Sequence, residues 1–470
     1  MTIPHRGHKS ARIAASFFTA HTARKPRPMS QPQRVRTILT LGLPIIGGML
    51  SQSLLNLVDA AMVGRLGETA LAGVGIAGYA NFIALSCIIG LSSAVQSLVA
   101  RRHGEGRRAE MARPVNAGII LALTIALPLS LLFATFSDSL LGLMSRDSAV
   151  LAIANDYFDY RILAMSAVGI NFSLRGWWNG TYRPMVHLRL LLVMHLFNVI
   201  LSYGLIFGAL GLPTLGAAGA GLGTCIALII GCLLNAALVW RDARKHGFLR
   251  AKRDRRALAT VLSLSLPHSL QQLLFAIAIA VLFWIIGQIG TQEQAIAHVL
   301  INLALFLILP GVGLGMASTS LVSHALGRNQ PSEAQQWGWD VIKTALAIIC
   351  LLSLPMWLAP EHILALFITD PQLVDQARLP LQITGLAICL DAASLVLTQA
   401  LLGAGAHRLV MMVSVGGQWL FYLPLAWLFG PHLGFGLTGI WLVQLVHRSL
   451  SSLVFIGIWR RRHWAHIKLG

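Results

Sequence analysis

Apolar stretches of roughly 20 residues recur from one end of this 470-residue chain to the other, and no other feature restricts its fold so severely. They fall at about 38–63, 71–100, 115–137, 157–178, 187–209, 217–240, 260–288, 294–323, 338–358, 378–402, 409–429 and 436–459, which makes twelve. Each is long enough, as a helix, to cross the hydrocarbon layer of a bilayer, about 30 Å thick. A chain dissolved in lipid must satisfy every backbone N–H and C=O internally, so only helices and closed barrels can span. The runs are continuous Leu, Ile, Val, Ala and Gly without period-two alternation, which selects helices over barrel strands. With 56% hydrophobic and 11% charged residues, the chain lies outside the range of soluble domains.

The formal net charge of +19 would suit a nucleic-acid binder if it lay on one face of a folded domain. Instead the basic residues cluster in short connections: RRHGEGRR (101–108), RDARKHGFLRAKRDRR (241–256) and RRRHWAHIK (460–468) follow spans 2, 6 and 12. The connections after spans 7 (GTQEQ) and 9 (APEHILALFITDPQ) contain no Lys or Arg. By the positive-inside bias both termini are expected in the cytoplasm, in a bacterial-type inner membrane, with lipid and not nucleic acid as the surroundings. Residues 1–36 carry Arg6, Lys9, Arg12, Arg24, Lys25, Arg27, Arg34 and Arg36 with no acid, and are expected to be a disordered cytoplasmic tail within which Met29 offers an internal start. The five cysteines, Cys87, Cys225, Cys232, Cys350 and Cys389, lie in apolar runs without paired spacing and read as packing residues.

The chain repeats itself. A shift of 223 positions sets Pro44 on Pro267, Gly64 on Gly287, Gly67 on Gly290, Ala72 on Ala295, Gly90 on Gly313, Ser97 on Ser320, Gly104 on Gly327 and Glu110 on Glu333, without a gap. The expected architecture is therefore an all-α membrane protein of twelve helices in two six-helix lobes. An even number of spans per half keeps both halves in one orientation, so a pseudo-two-fold axis along the membrane normal relates them. The divisions are an N-terminal tail (1–36), an N-lobe (37–240), a cytoplasmic linker (241–256), a C-lobe (257–460) and a basic C-terminal tail (461–470).

Within so apolar a chain, two acids stand out. A charge at the centre of a spanning helix costs about 2.5–3.5 kcal/mol on the insertion scale and must be paired, hydrated or protonated. Asp59 in span 1 follows Gln52 by seven residues and Asn56 by three, so the three form one polar stripe, which must face protein or water. Pro44, fifteen residues earlier, lacks an amide hydrogen and can bend the helix. The competing reading has Asp59 at the outer end, snorkelling or paired with Arg65. Asp391 in span 10 shares its stripe with Thr384 and Thr398, and its competing reading is a structural hydrogen bond to a neighbouring helix. The repeat sets Leu282 opposite Asp59, so the two acids are not copies of one position.

Other patterns carry less. The glycines of GAAGAGLGT (216–224) lack a preceding strand and enter an apolar span, so they read as close helix packing and not as a phosphate loop. His195, His268, His447 and Arg448 lie in or near spans, where satisfied interior hydrogen bonds are the ordinary fate. No HExxH, GxSxG or Cys/His grouping suggests an enzyme, and no cofactor is implied.

The stretches LGLPIIGGMLSQSLLNLVDAAMVGRLGETALAGVG around Asp59, LRGWWNGTYRP (174–184), LIFGALGLPTLGAAGAGLGT (205–224) and ICLDAASLVLTQALLGAGAHR (388–408) resemble the MATE (multidrug and toxic compound extrusion) family, of NorM/DinF type, in the MOP flippase superfamily. The resemblance covers everything after residue 36. It implies export of cationic or lipophilic organic compounds by alternating access, driven by inward flow of protons or sodium, by a protein expected to act as a monomer. It also implies that Asp59 is the coupling acid, with Asn198 and Thr224 as polar partners and Gln52 and Asn56 beside it. Asp391 matches the acid of the second lobe. Two positions depart from the pattern: Ser202 stands where many relatives have a second acid, and Gln271 or Gln272 stands where NorM-type members have Glu. Both departures remove anionic oxygens that a sodium ion would use, so protons are the favoured coupling ion and sodium the alternative. A flippase for lipid-linked precursors is the rival within the superfamily. It would need cavity cations, and Arg161 and Arg175 fall near opposite ends of span 4.

Overall fold

In a computed structural model of the chain, residues 30–250, 254–368 and 370–469 are described, and the tail expected at 1–29, with Met29, lies outside them. Twelve membrane-length segments follow in order. The first six are α1 (Gln31–Gly64), α2 (Glu68–Gly104), α3 (Arg108–Thr135), α4 (Ser148–Leu163 continuing as Met165–Gly180), α5 (Pro184–Phe207) and α6 (Ala217–Ala243). The second six are α7 (Arg255–Gly287), α8 (Thr291–Gly327), α9 (Pro331–Leu358), α10 (Pro371–Ala404), α11 (His407–His432) and α12 (Gly436–Arg461). Eleven meet both the length and the apolarity of a membrane span. The twelfth, α4, is broken at Ala164 and interrupted by Asp156, Asp159, Arg161 and Arg175. This is the two-lobe, twelve-helix architecture expected from the repeat.

Successive helices run in opposite directions, so the ends of α2, α4, α6, α8, α10 and α12 meet the starts of α1, α3, α5, α7, α9 and α11 at one basic face. At that face the repeat is visible as packing. A Cβ on Gly104 would fall on the carbonyl of His324, and one on Gly327 would fall on the carbonyl of Arg101. Deeper in, Gly90 meets Ser265 and Ser269 of α7, and Gly313 meets Ile46 of α1. Both pairs obey the 223-residue shift, so the same backbone approach is made twice about the axis. Residues 90–102 of α2 and most of 310–327 of α8 are buried, whereas the other halves of both helices alternate buried with accessible positions. The lobes are packed most tightly together at the basic face.

The packing crosses the lobe divisions drawn from chain order. Ile38, Leu41 and Ile46 in the first half of α1 belong to a core otherwise built from α8 to α12 and Trp464 of the C-terminal segment. Val261 and Leu264, the repeat positions of Ile38 and Leu41, join the core of the first six helices. Each lobe thus lends the basic half of its first helix to the other. Past Pro44, α1 contacts both lobes: Gly47 and Gly48 approach Leu188 and Leu191 of α5, in its own lobe, while Ile45, Ile46 and Leu50 still pack against the opposite core.

Two boundaries differ from the sequence reading. Helix α1 begins at Gln31, not after residue 36, because the Ser30 amide donates to Gln33 Oε1 (3.1 Å), Pro32 occupies the first turn, and Arg34 is held in a buried ion pair with Asp340 of α9 under the Trp337 ring. The basic C-terminal segment also packs, since Trp464 stacks on Trp459 with ring centroids 3.9 Å apart and is 2% exposed. The 241–256 linker is pinned to α3: Asn116 Nδ2 donates to the Gly247 carbonyl (2.9 Å), and the Leu249 amide donates back to Asn116 Oδ1 (3.0 Å).

Candidate substrate and ion-coupling site

The outer half of α1, past Pro44, carries the polar stripe into the N-lobe. Gln52 Nε2 donates to Asn56 Oδ1 (3.2 Å), the i, i+4 contact that helix geometry offers. His195 of α5 bridges to this pair, with Nε2 3.3 Å from Gln52 Oε1 and Nδ1 3.2 Å from Ser51 Oγ. An amide oxygen only accepts, so the neutral ring carries its proton on Nε2 and takes the Ser51 hydroxyl at Nδ1.

One turn deeper between α5 and α6, Asn198 Nδ2 donates to Thr224 Oγ1 (3.0 Å) and Ser202 Oγ donates to Asn198 Oδ1 (3.4 Å). All three are buried. Thr224 completes the chain by donating to the Ala220 carbonyl (2.8 Å). Gly223 permits this, since a Cβ there would strike the Ser202 backbone. The residues grouped from the sequence on α5 and α6 thus hydrogen-bond one another and not the acid.

Asp59, three residues past Asn56 on α1, has its Oδ1 buried and without a hydrogen-bond partner among the described residues. No ion pair joins it to Arg65, which is exposed, so the pairing named in the outer-rim reading is not made. On α4, Arg161 leans over the Tyr157 ring at 5.8 Å. From the sequence, Arg161 reads only as a candidate cavity cation near one end of span 4. Its signal was the presence of a cation inside an otherwise apolar span.

The second acid requires a correction. Asp391 is closed in an ion pair with Arg448 of α12 at 2.6 Å, with side chains 8% and 18% exposed. Its expected stripe partner Thr384 is occupied as well, accepting from Trp441 Nε1 (2.7 Å) and donating to the Pro380 carbonyl (2.8 Å). The acid therefore has a fixed basic partner, which is the structural role named as its alternative. Gln271 and Gln272 on α7 make no bond to it, and Gln271 Oε1 is buried without a partner. The cysteine reading is refined too: Cys350 and Cys389 bring their sulfurs to 3.3 Å across α9 and α10.

Two lobes related by an internal repeat, joined at the basic face, with an unpartnered acid on a helix that packs in both, define an integral multi-pass membrane protein of the transporter class. The MatE family model matches residues 44–204 and again 267–428, two matches separated by the offset of the repeat, and the chain belongs to the MatE family. Curated relatives named "Probable multidrug resistance protein NorM" include one from Bradyrhizobium diazoefficiens, 27% identical over 431 residues (89% of this chain and 91% of the relative). Another, from Synechococcus, is 28% identical over 440 residues (90% and 93%). Among solved structures, an outward-facing MATE family transporter of the MOP superfamily superposes with a TM-score of 0.83 at 21% identity, covering 91% of this chain and 96% of that one. The Vibrio cholerae MATE transporter VcmN in its bent form superposes at 0.84 and 18%, covering 92% and 97%. At these identities the structural likeness establishes the fold.

Proposed function

We propose that this chain is a proton-coupled antiporter that exports cationic or lipophilic organic compounds by alternating access, with Asp59 as the coupling acid. The observation that carries the reading is the Asp59 carboxylate: one oxygen buried and unpartnered, on an N-lobe helix that packs in both lobes. The names of the curated relatives support drug export. Carboxylates withdrawn from water favour the protonated form, and carboxylates facing water or a cation favour the ionised form. Rocking of the lobes changes which environment Asp59 meets. Proton uptake on one side then releases a cationic cargo, and proton loss on the other resets the acid.

The basic face is assigned to the cytoplasm by its charge, which puts both termini there and makes the arrangement, sealed at that face, an outward-facing one. Pro44 lies inside α1 and lacks an amide hydrogen, so in this reading it lets the outer half of the helix bend. Gln52, Asn56, Asn198, Ser202 and Thr224 supply neutral oxygens beside the acid. Without a second carboxylate among them, the set suits a proton better than a sodium ion, which remains the alternative. The unit is taken to be a monomer that needs no cofactor.

Efflux from everted vesicles under an imposed proton gradient, and then under a sodium gradient, tests the reading. Proton-driven export of ethidium is expected in the wild type and is expected to fall to the level of empty vesicles for Asp59→Asn. Undiminished proton-driven efflux by that variant would overturn Asp59 as the coupling acid, and efflux driven only by sodium would replace the ion.

A further inference from the structure

Of the five cysteines, all free thiols, two meet: Cys350 Sγ of α9 donates to Cys389 Sγ of α10 at 3.3 Å. Cys225 and Cys232 are seven residues apart on α6, about 10 Å along its axis, too far to be bridged. The meeting of Cys350 and Cys389 follows from the register of two antiparallel helices. Trp357 Nε1 donates to the Gln382 carbonyl (3.2 Å), and Gln382 Nε2 donates to the Trp357 carbonyl (3.4 Å). Trp357 lies seven residues after Cys350, and Gln382 lies seven before Cys389, so the register that pairs the second couple also pairs the first.

The hydrogen bonds give the two sulfurs different roles. Ser353 Oγ donates its single proton to the Cys350 carbonyl (3.0 Å), so it offers a lone pair to Cys389 Sγ, 3.2 Å away. The Cys389 thiol therefore points at Ser353 and the Cys350 thiol at Cys389, which leaves the Cys350 sulfur accepting from neither. Cys350 is also the reachable member. It is partly exposed beside Leu351 and Leu354, at 67% and 40%, whereas Cys389 and Ser353 are 6% and 0% exposed. It lies nineteen residues past Pro331, about 28 Å from the basic end of α9, and eight residues, about 12 Å, before Leu358 at the other end. What reaches it comes through hydrocarbon.

We infer that Cys350 and Cys389 form an intramembrane thiol pair that apolar organic hydroperoxides oxidise to a disulfide, with Cys350 as the attacking sulfur and Cys389 as the resolving one. The Cys350 sulfur takes the terminal oxygen of the hydroperoxide, the O–O bond breaks, and the thiol proton leaves with the other oxygen as an alcohol. The sulfenic acid so formed is attacked by the Cys389 sulfur, and its hydroxyl departs with the Cys389 proton as water. Two thiols are oxidised and one hydroperoxide is reduced. The product carries no charge and no donor, which suits its apolar surroundings, and it ties α9 to α10 within one lobe. This modification site goes beyond the antiporter reading and does not depend on it.

The test uses the full chain in nanodiscs of saturated phosphatidylcholine, so that the lipid supplies no hydroperoxide. Cumene hydroperoxide is added, free thiols are counted, and unreduced peptides are mapped by mass spectrometry. The wild type is expected to fall from five free thiols to three, the two lost being joined in a Cys350–Cys389 cross-link that dithiothreitol reverses. Cys389→Ser is expected to stop at a Cys350 sulfenic acid, trapped by dimedone, and Cys350→Ser to leave Cys389 unlabelled. Hydrogen peroxide at equal concentration is expected to act several-fold more slowly, because it stays in water. Retention of all five thiols, or their loss without that cross-link, overturns the pair. Dimedone on Cys389 in Cys350→Ser, with none on Cys350 in Cys389→Ser, overturns the assignment of the attacking sulfur. Equal rates for the two peroxides overturn access from the hydrocarbon side. No transport is measured, so a failure of the antiporter reading leaves each of these outcomes unchanged.

Discussion

The two intramembrane acids separate by what stands opposite them. Asp391 and Arg448 neutralise each other across α10 and α12, while Asp59 keeps one oxygen unanswered. Removing one partner of a buried pair leaves the other charge desolvated, at a cost of about 3–5 kcal/mol, whereas replacing both by apolar groups is often neutral. Arg448→Met is therefore expected to lower the unfolding temperature in detergent, and Asp391→Leu with Arg448→Met to recover most of the loss. A double variant no more stable than the single one would refute the pairing. In the linker, Asp254 caps α7 and accepts from the Ala257 and Arg256 amides at 3.1 and 3.0 Å. Those amides, with Arg113 close by, hold its carboxyl below the usual aspartate range. The cap is thus fully effective above the unfolded value of about 3.9 and is lost as pH falls through the lower folded value. Asp254→Ala should cost about 1 kcal/mol at neutral pH, Asp254→Asn much less, and the difference from wild type should shrink below about pH 4 in thermal melts. The acids themselves were legible because a carboxylate in an apolar run is conspicuous. Their partners were not, since the distance from Asp391 to Arg448 is 57 positions in sequence and only the packing of α10 on α12 makes it 2.6 Å.

Among the helices, the shared glycines of the repeat do not all have the same use. Gly104 and Gly327 are where α2 and α8 cross near the axis, and a side chain at either would collide with the backbone of the other helix. Gly64 is matched just as well by the repeat, yet nothing lies within 4 Å of where its Cβ would be. Gly327→Val should therefore prevent the basic face from sealing and abolish efflux from a protein that still purifies as a single species. Gly64→Ala should stay within about 0.5 kcal/mol of wild type and export normally. Equal efflux by the two variants would contradict the crossing as a required seal. The span pattern was readable because lipid enforces helix length and apolarity, and the repeat was readable because the bending Pro and the close-packing glycines recur at fixed spacing. The exchange of helix halves was not. Ile38 and Leu41 look like any other apolar residues, and only the fold reveals that they pack in the opposite lobe.

At the scale of the whole molecule, rocking requires the seal at the basic face to open and close reversibly, so its contacts must be strong enough to hold and few enough to break. Much of that seal is symmetric, but one element is not. Arg34 of α1 and Asp340 of α9 form a buried pair beneath Trp337, while the repeat positions of both, 257 and 117, are alanines. The buried tie therefore has no counterpart at the repeat positions, and on the other side of the axis α3 and α7 are held by the more exposed Arg113–Asp254 pair at 3.4 Å. Arg101 adds a looser link: its Nη2 is 3.4 Å from the carbonyls of Ala404 and Ile467, so the C-terminal segment fastens the N-lobe to the C-lobe from below. Breaking the buried pair should shift the balance toward the form open at the basic face. Its measure is the labelling rate of a cysteine at Ser323, whose hydroxyl donates to the Ser97 carbonyl across the seal, in a chain freed of its five native cysteines. With a membrane-impermeant thiol reagent applied from the basic side, Asp340→Asn is expected to raise that rate several-fold over the parent. An unchanged rate would mean that the pair stabilises α1 without governing the gate, and the symmetric glycine crossings would then have to hold the seal alone.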